Sequence, residues 1–268
     1  MDSLEQYEFD RTGYLVLPGM LTASEVADLR VAVDRLEEHA LRHVDAAPRK
    51  VSPWGAEYHR DADLGYHAQG SSADGKTLII EDFFNADRAF DFLVDHPRTM
   101  AYINGIVQGR VRINNSEIRL RYHGNATGSH MGGPIAHKYR YAFNSNGPDC
   151  MMVRMIYFLH DVSKDDGAFC VVPGTHKTNL PPPYGSDPDT EPGMIPLEVK
   201  AGDAVLFTEH LRHGGYVNRS RATRKTLHIG YGPSWMMSQN IATMDEPQYF
   251  LPETLERYTE AQRKLVVL

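Results

Sequence analysis

Two side chains that can bind a metal and an anion stand close together in the last third of the chain. His213 follows the apolar run 204–207 and precedes Gly214 and Gly215, and Arg224 opens the next alternating run. Histidine is a common metal ligand, and the fork of an arginine side chain can hold a carboxylate through two hydrogen bonds. The spacing predicts a strand, a glycine turn and a returning strand, which would place a metal ligand beside a carboxylate-binding arginine.

The elements that would position these groups change in type along the chain. Thr22 and Glu25 form a capping-box pattern at the start of a helix whose apolar residues recur at helical spacing. After residue 110, alternating runs separated by glycine turns predict a series of strands that is typical of a sandwich or barrel. We therefore expect a single domain, with a helical N-terminal part (1–110), a β core (111–232) and a C-terminal extension (233–268).

Two segments rich in turn-forming residues predict long loops, which often shape binding pockets. They are residues 48–76, with Gly, Ser, Asp and Ala, and residues 180–193, with many prolines. His59 and His67 lie in the first segment, and histidines in such a loop are expected to be solvated.

The composition limits the class of protein and its partners. The chain has 268 residues, 41% of them hydrophobic, and a net charge of −7, which indicates a soluble globular domain without a basic field that would attract nucleic acid or an anionic membrane. Cys150 and Cys170 are too few for a disulfide framework and are expected to be buried. With no apolar run of membrane-spanning length and no leader pattern, we expect a cytoplasmic protein whose partner is a small molecule. The sequence leaves the oligomeric state open.

The chain resembles phytanoyl-CoA dioxygenase-like proteins in three regions. They are residues 9–18 with the capped helix after them, residues 165–177 ending in Pro-Gly-Thr-His-Lys, and the distal motif with residues 202–207, His213-Gly214, Asn218, Ser220 and Arg224. The resemblance implies a mainly β fold with flanking helices, a double-stranded β-helix (jelly roll, cupin-like) against which the N-terminal helices pack. It further implies an Fe(II) centre with 2-oxoglutarate and O2 as cosubstrates. It makes His213 an iron ligand and Arg224 the partner of the distal 2-oxoglutarate carboxylate.

The proximal part of the expected iron site departs from the family. A His-x-Asp motif is normal there, whereas this chain offers His123, His130 and His137, none followed by an acid at the second position. We favour His130 as the ligand, because its place in the glycine-rich loop suits the family. Gly132 then leaves a gap where the carboxylate would lie, and His123 and His137 remain alternatives.

What fills this gap decides the reaction, and several possibilities remain open. Glu209 lies four residues before His213, close enough to the strand end to supply a relocated carboxylate, although an acid at this position can also be a solvated turn residue. A small residue in the gap resembles the related halogenases, in which chloride binds the iron. Water can also complete the site, or the site can be degenerate.

Three functions follow from these readings. The preferred one is a non-haem iron, 2-oxoglutarate-dependent dioxygenase that hydroxylates an unactivated C–H bond of a small metabolite. The alternatives are a halogenase with a His-x-Gly iron site and a non-catalytic jelly roll that binds small molecules. Arg119 and Arg121 alternate along a predicted strand, and Arg121 is a further candidate for binding the cosubstrate if that face points inward.

Overall fold

The computed structural model describes residues 1–47, 49–53, 55–132, 141–238, 240–242 and 246–267. Within these ranges the α-helices are α1 (Ser3–Thr12), α2 (Ala23–His43), α3 (Pro97–Ile103), α4 (Pro252–Arg257) and α5 (Glu260–Val266). Shorter 3₁₀ helices lie at Phe83–Asn85, Arg88–Leu93 and Thr175–Lys177. None of the helices in these ranges has the length and apolar character needed to cross a membrane.

The strands begin soon after α1 and continue to residue 233. They are β1 (Tyr14–Leu17), β2 (Arg49–Val51), β3 (Glu57–Arg60), β4 (His67–Gly70), β5 (Thr77–Glu81), β6 (Val111–Arg121), β7 (Thr127–His130), β8 (Tyr141–Asn144), β9 (Gly147–Cys150), β10 (Val153–Phe158), β11 (Phe169–Val171), β12 (Ile195–Pro196), β13 (Ala204–Thr208), β14 (His213–Gly215) and β15 (Arg224–Pro233).

Two antiparallel sheets form the β core. The larger has the order β1-β13-β10-β15-β6-β5-β4-β3-β2, and the smaller has the order β12-β11-β14-β7. The strands β8 and β9 pair separately as a hairpin. Apolar side chains of β10 and β13 in the large sheet, such as Ile156 and Phe207, share a core with Phe169 and Val171 of the small sheet. The two sheets therefore pack face to face, which is the jelly-roll arrangement expected from the sequence.

The helices cover the other face of the large sheet. Helix α2 begins at the predicted capping box, in which the Thr22 hydroxyl accepts from the Glu25 amide and the Glu25 carboxylate accepts from the Thr22 amide. Its buried positions include Leu29 and Val33, which belong to the same core as Leu206 of β13. A mainly β domain flanked by helices is thus confirmed.

The prediction of a long loop at 48–76 was wrong. Strands β2, β3 and β4 lie there and extend the large sheet beyond β5. His67 is not solvated but fully buried, with its Nδ1 3.0 Å from Asp82 Oδ2, and His59 is buried as well. Gly55, Gly65 and Gly75 lie in the connections between these strands and have positive φ, so these glycines indicated turns between short strands rather than a continuous loop.

Candidate metal centre and anion pocket

Three side chains with metal-ligating atoms meet at the open end between the two sheets. His130 ends β7, His213 begins β14 directly opposite it, and Glu209 follows β13 of the large sheet. One ligand atom from each residue lies within 4.8 Å of the other two. His213 Nε2 is 3.9 Å from Glu209 Oε1. Two ligands on bonds of about 2.1 Å can be at most about 4.2 Å apart, so shifts of roughly 1 Å would place all three on one metal.

The hydrogen bonds of the two histidines leave the same ring nitrogen available on each. Nδ1 of His130 lies 2.8 Å from the Gly128 carbonyl, and Nδ1 of His213 lies 2.7 Å from the Leu211 carbonyl. Because a carbonyl can only accept, each Nδ1 carries the proton and each Nε2 presents a lone pair. This tautomer is the one that an Nε2-bound metal requires, and a backbone carbonyl is a usual outer partner of a metal-bound histidine.

Burial keeps both histidines neutral. It lowers the pKa of His130, and it lowers the pKa of His213 further, with His130 as the second cause. The His213 ring also packs against Phe207 and Phe169, at centroid distances of 4.8 and 5.5 Å. These contacts fix the ring, and a neutral imidazole is the form that binds a metal.

The carboxylate of Glu209 is oriented by a buried arginine. Arg154 Nε donates to Glu209 Oε2 at 2.7 Å, which leaves Oε1 on the side of His213. Arg154 also donates to Asn115 Oδ1 at 2.8 Å and to Glu117. The Gly132 amide donates to the Glu209 backbone carbonyl at 2.8 Å. Glu209 therefore stands beside the glycine that occupies the place of the missing acid.

Two further arginines lie in the same pocket without an acidic partner among the described residues. Arg121 and Arg224 face each other across β6 and β15 and are almost fully buried. Arg121 donates to Asn125 Oδ1 at 3.1 Å and Arg224 donates to the Gly167 carbonyl, while the Nε of each has no hydrogen-bond partner. A β-carbon at Gly215 would lie 3.3 Å from Arg121 Nη1, so the glycine keeps space open beside this guanidinium.

Burial and neighbouring positive charges lower the pKa values of Arg121 and Arg224. Burial lowers the pKa of Arg121 well below its usual value, and the charge of Arg224 adds to this effect. Burial likewise lowers the pKa of Arg224 to about 9, with the charge of Arg119 as the second cause. Both guanidiniums still carry a charge at neutral pH. A buried pair of cations without a counter-charge is costly, and an anion bound between them would relieve that cost.

Comparison with known proteins identifies the family. The family model described as phytanoyl-CoA dioxygenase matches residues 9–226. The chain belongs to the phytanoyl-CoA dioxygenase family. Its curated relatives include the dioxygenase olcK of Penicillium canescens, 26% identical over 199 residues that cover 72% of this chain and 64% of the relative. The rat peroxisomal phytanoyl-CoA dioxygenase is 22% identical over 250 residues, which cover 87% of this chain and 69% of that protein.

A solved structure shares the fold of this family member. HygX from Streptomyces hygroscopicus, crystallised with nickel and 2-oxoglutarate, aligns with a TM-score of 0.68 and 22% identity, and the alignment covers 89% of each chain. The fold expected from the sequence is therefore confirmed.

The alternative proximal histidines of this family member have different positions. His123 lies outside the three-residue group, with Nδ1 2.9 Å from the Ser220 carbonyl. His137 falls outside the residues that the structure describes. Among the described residues, the group consists of His130, Glu209 and His213 alone.

Sequence reasoning missed two polar side chains that line the same pocket, Arg154 and His228. Arg119, which the sequence offered together with Arg121, also lies there and forks onto Glu117 at 3.0 and 3.1 Å. Burial alone would raise the pKa of Glu117, but the charges of Arg119 and Arg154 hold it below its usual value. One signal was present in the sequence, because Arg154 interrupts the otherwise apolar run of β10. A lone charge in a buried strand indicates a specific partner.

Proposed function

We propose that this chain is an Fe(II)- and 2-oxoglutarate-dependent oxygenase in which His130, His213 and Glu209 hold the iron. Arg224 and Arg121 would bind the distal carboxylate of 2-oxoglutarate. The substrate is a small molecule, and the reaction that we propose is hydroxylation of an unactivated C–H bond. The observation that carries the proposal is the convergence of two Nε2 lone pairs and one carboxylate beside two arginines without acidic partners.

The donor set fits iron rather than a structural zinc ion or calcium. Two neutral histidines and one carboxylate on one side of the metal are the ligands of non-haem iron oxygenases, which leave the other positions open. The approach of His130 and Glu209 from different sheets leaves the pocket side of such a metal free. HygX, which has the same fold, binds nickel and 2-oxoglutarate, which supports this use of the site.

The arginine pair fits a dicarboxylate that spans the pocket. One guanidinium can hold a carboxylate through two hydrogen bonds, and the second adds charge and a further donor. Because Arg121 and Arg224 lie opposite each other on adjacent strands, both can reach one carboxylate. The other end of 2-oxoglutarate would then extend toward the histidines.

When bound, iron with O2 and 2-oxoglutarate supplies the oxidation of a C–H bond, with succinate and CO2 as coproducts. The chain's own residues position and protect this chemistry. The backbone carbonyls of Gly128 and Leu211 fix the tautomers of the two histidines. Arg154 holds one oxygen of Glu209 and so directs the other oxygen toward His213. Phe169 and Phe207 cover the His213 ring and keep water from it.

The position of Glu209 favours hydroxylation over halogenation. A halogenase of this type needs a small residue in the carboxylate position so that chloride can bind. Gly132 meets that condition in the sequence, but Glu209 is hydrogen-bonded to it through the backbone and carries a carboxylate toward the two histidines. If this carboxylate held the metal, it would take the position that chloride needs.

The experiment that tests this function combines metal binding with turnover. We expect Fe(II) added under anaerobic conditions with 2-oxoglutarate to produce a weak visible charge-transfer band, and air to yield succinate. His213→Ala and Glu209→Ala should each lower Co(II) affinity, measured by calorimetry, at least about tenfold. His123→Ala is the matched control, because this histidine lies outside the group, and it should bind Co(II) as the wild-type protein does.

Three results would count against the proposal. Equal Co(II) affinity in wild type and His213→Ala would show that the metal does not bind at His213. If Glu209→Ala kept the Co(II) affinity of wild type, Glu209 would not be a ligand, and water or chloride could bind the metal in its place. A product mass that shows added chlorine at saturating chloride would replace hydroxylation with halogenation.

A further inference from the structure

A large apolar cavity opens beside the candidate metal centre. It has a volume of about 700 Å³, and Val172, Leu180 and Tyr184 are among its lining residues. A smaller cavity of about 230 Å³ includes His130 in its lining. The two cavities share lining residues, including Met131 and Leu180. The two cavities therefore adjoin each other and together extend from the proline-rich segment to a proposed metal ligand.

The charges in the lining of the large cavity cancel each other. Arg212 and Glu191 are the only charged side chains among the described lining residues. They form a buried pair, with Arg212 Nε 2.7 Å from Glu191 Oε1 and Nη2 3.0 Å from Oε2, and Nη2 also donates to the Gly185 carbonyl at 2.9 Å. Nε and Nη2 of Arg212 are thus engaged within the protein and Glu191 balances its charge, so an ionic group in this cavity would find no unpaired counter-charge among the described residues.

We infer that this cavity binds the substrate, and that the substrate is a neutral, largely apolar molecule. This inference rests on the proposed function, because the reacting C–H bond must reach the metal through the smaller cavity. Pockets of roughly 300–1,000 Å³ bury molecules of drug-like size, so the volume fits a skeleton of several rings or a branched chain. Part of the apolar lining is a run of prolines (Pro181, Pro182 and Pro183), whose rings restrict the backbone.

The same lining disfavours a coenzyme A thioester. The phosphates of such a molecule would enter an apolar cavity where Arg212 is already paired, and burying a charge without a partner costs several kcal/mol. Leu180 and Tyr184, which are 79% and 52% exposed, would gain apolar contacts from a bound neutral molecule instead. A neutral, apolar substrate therefore matches the apolar side chains of the lining better than a charged thioester does.

A matched pair of ligands tests the inference on the full-length protein. We choose a neutral fluorobiphenyl and the corresponding fluorobiphenyl carboxylate, with binding followed by fluorine NMR. The neutral compound should bind at least about tenfold more tightly than the carboxylate, a difference of about 1.4 kcal/mol. Mn(II) bound at the metal centre should broaden the fluorine signal of the bound neutral compound, because the cavity adjoins His130.

The same Leu→Asp substitution at two different positions shows where the neutral compound binds. Leu180→Asp places a charge in the lining and should weaken its binding about tenfold. Leu4→Asp makes the same change at a leucine of α1 that is 68% exposed, and it should leave binding unchanged. Because both leucines are exposed, neither variant is expected to unfold.

The outcomes separate this inference from the proposed function. If Mn(II) and 2-oxoglutarate bind but the carboxylate compound binds as well as the neutral one, the substrate class is wrong and the oxygenase stands. If Leu180→Asp binds the neutral compound as wild type does, the cavity is not its site. If the metal does not bind, the proposed function fails. Selective binding of the neutral compound to the metal-free protein would still show that the cavity prefers neutral, apolar molecules.

Discussion

Among the described residues, four arginines line the pocket of the candidate metal centre, three of them buried and Arg119 partly buried, and they divide into two pairs by their partners. Arg119 and Arg154 contact Glu117, and Arg154 also contacts Glu209. Arg121 and Arg224 contact only neutral groups among the described residues. The first pair is thus balanced within the protein and the second pair requires an external anion. Under the proposed function, the first pair would orient the Glu209 carboxylate and the second would bind the cosubstrate.

Arg224→Lys should weaken 2-oxoglutarate binding without affecting the metal. A lysine keeps the charge but loses the fork that holds a carboxylate through two bonds. We expect the Kd for 2-oxoglutarate on the Co(II)-loaded protein to rise about tenfold to a hundredfold, as measured by calorimetry, with unchanged Co(II) affinity.

The matched control is Arg219→Lys, because Arg219 is half-exposed and pairs with Asp189 at the surface near the start of β15. Its 2-oxoglutarate affinity should equal that of wild type. A Kd in Arg224→Lys within twofold of wild type would show that the distal carboxylate binds elsewhere.

The sequence indicated several residues that meet at the site, but not the network of contacts that holds them. Glu209 could be named because it precedes His213 by four positions, and the two lie 3.9 Å apart in the structure. Arg154 and Glu117 come from strands that lie far apart in sequence, so no local pattern pairs them. Tertiary contact decides such networks, and the sequence indicates only that a lone charge in an apolar strand needs a partner.

At the scale of elements, the predictions failed where turns separate very short strands. Strand β2 has three residues and β3 has four, too few to show a clear alternation. The long strands β6 and β15 display the expected pattern and pair along their whole length, with an irregularity at Gly230 and Tyr231. The prediction of strands therefore depended on their length, whereas turn-forming residues indicated where strands end.

A buried ion pair helps to hold the proline-rich segment 180–193 in position. Glu191 is held by the fork of Arg212, which precedes β14, and Arg212 also binds the Gly185 carbonyl. Glu191→Gln should release the segment, because removing one partner of a buried pair leaves the other uncompensated, at a cost of about 3–5 kcal/mol. We expect chymotrypsin to cut after Tyr184 several times faster than in wild type.

Asp189→Asn is the control within the same segment. Asp189 pairs with Arg219 and Lys164 at the surface, where such contacts contribute about 0–1 kcal/mol. Its cleavage rate should therefore stay close to that of wild type. Equal rates in both variants would mean that the buried pair does not hold the segment.

At the scale of the whole molecule, buried titratable groups predict a stability optimum near pH 6.5. Burial lowers the pKa of several histidines, and that of His176 falls to about 4. The others are His96, His130, His160, His213 and His228. The unfolded chain binds protons at these sites below about pH 6.5 while the folded protein resists them, so stability falls as the pH decreases from 6.5.

Glu81 acts in the opposite direction on the alkaline side. Burial raises its pKa to about 8, and the nearby charge of Glu117 contributes. The folded protein therefore keeps this proton above about pH 4.5, where the unfolded chain has lost it, and its stabilising contribution disappears as the pH rises through 8. Below pH 6.5 six histidines outweigh one glutamate, and between pH 6.5 and 8 only the glutamate titrates among these groups.

Urea denaturation of the metal-free protein at fixed ionic strength measures both slopes. We expect the free energy of unfolding to fall by about 1.4 kcal/mol per pH unit at most from pH 6.5 to 8, and more steeply from pH 6.5 to 5. Glu81→Gln should remove the alkaline decrease and keep the acid one, because its amide does not titrate. A Glu81→Gln protein that still loses stability between pH 6.5 and 8 would assign the alkaline decrease to another group. A wild-type protein equally stable at pH 5 and 6.5 would show that the buried histidines take up protons without resistance, contrary to their packing.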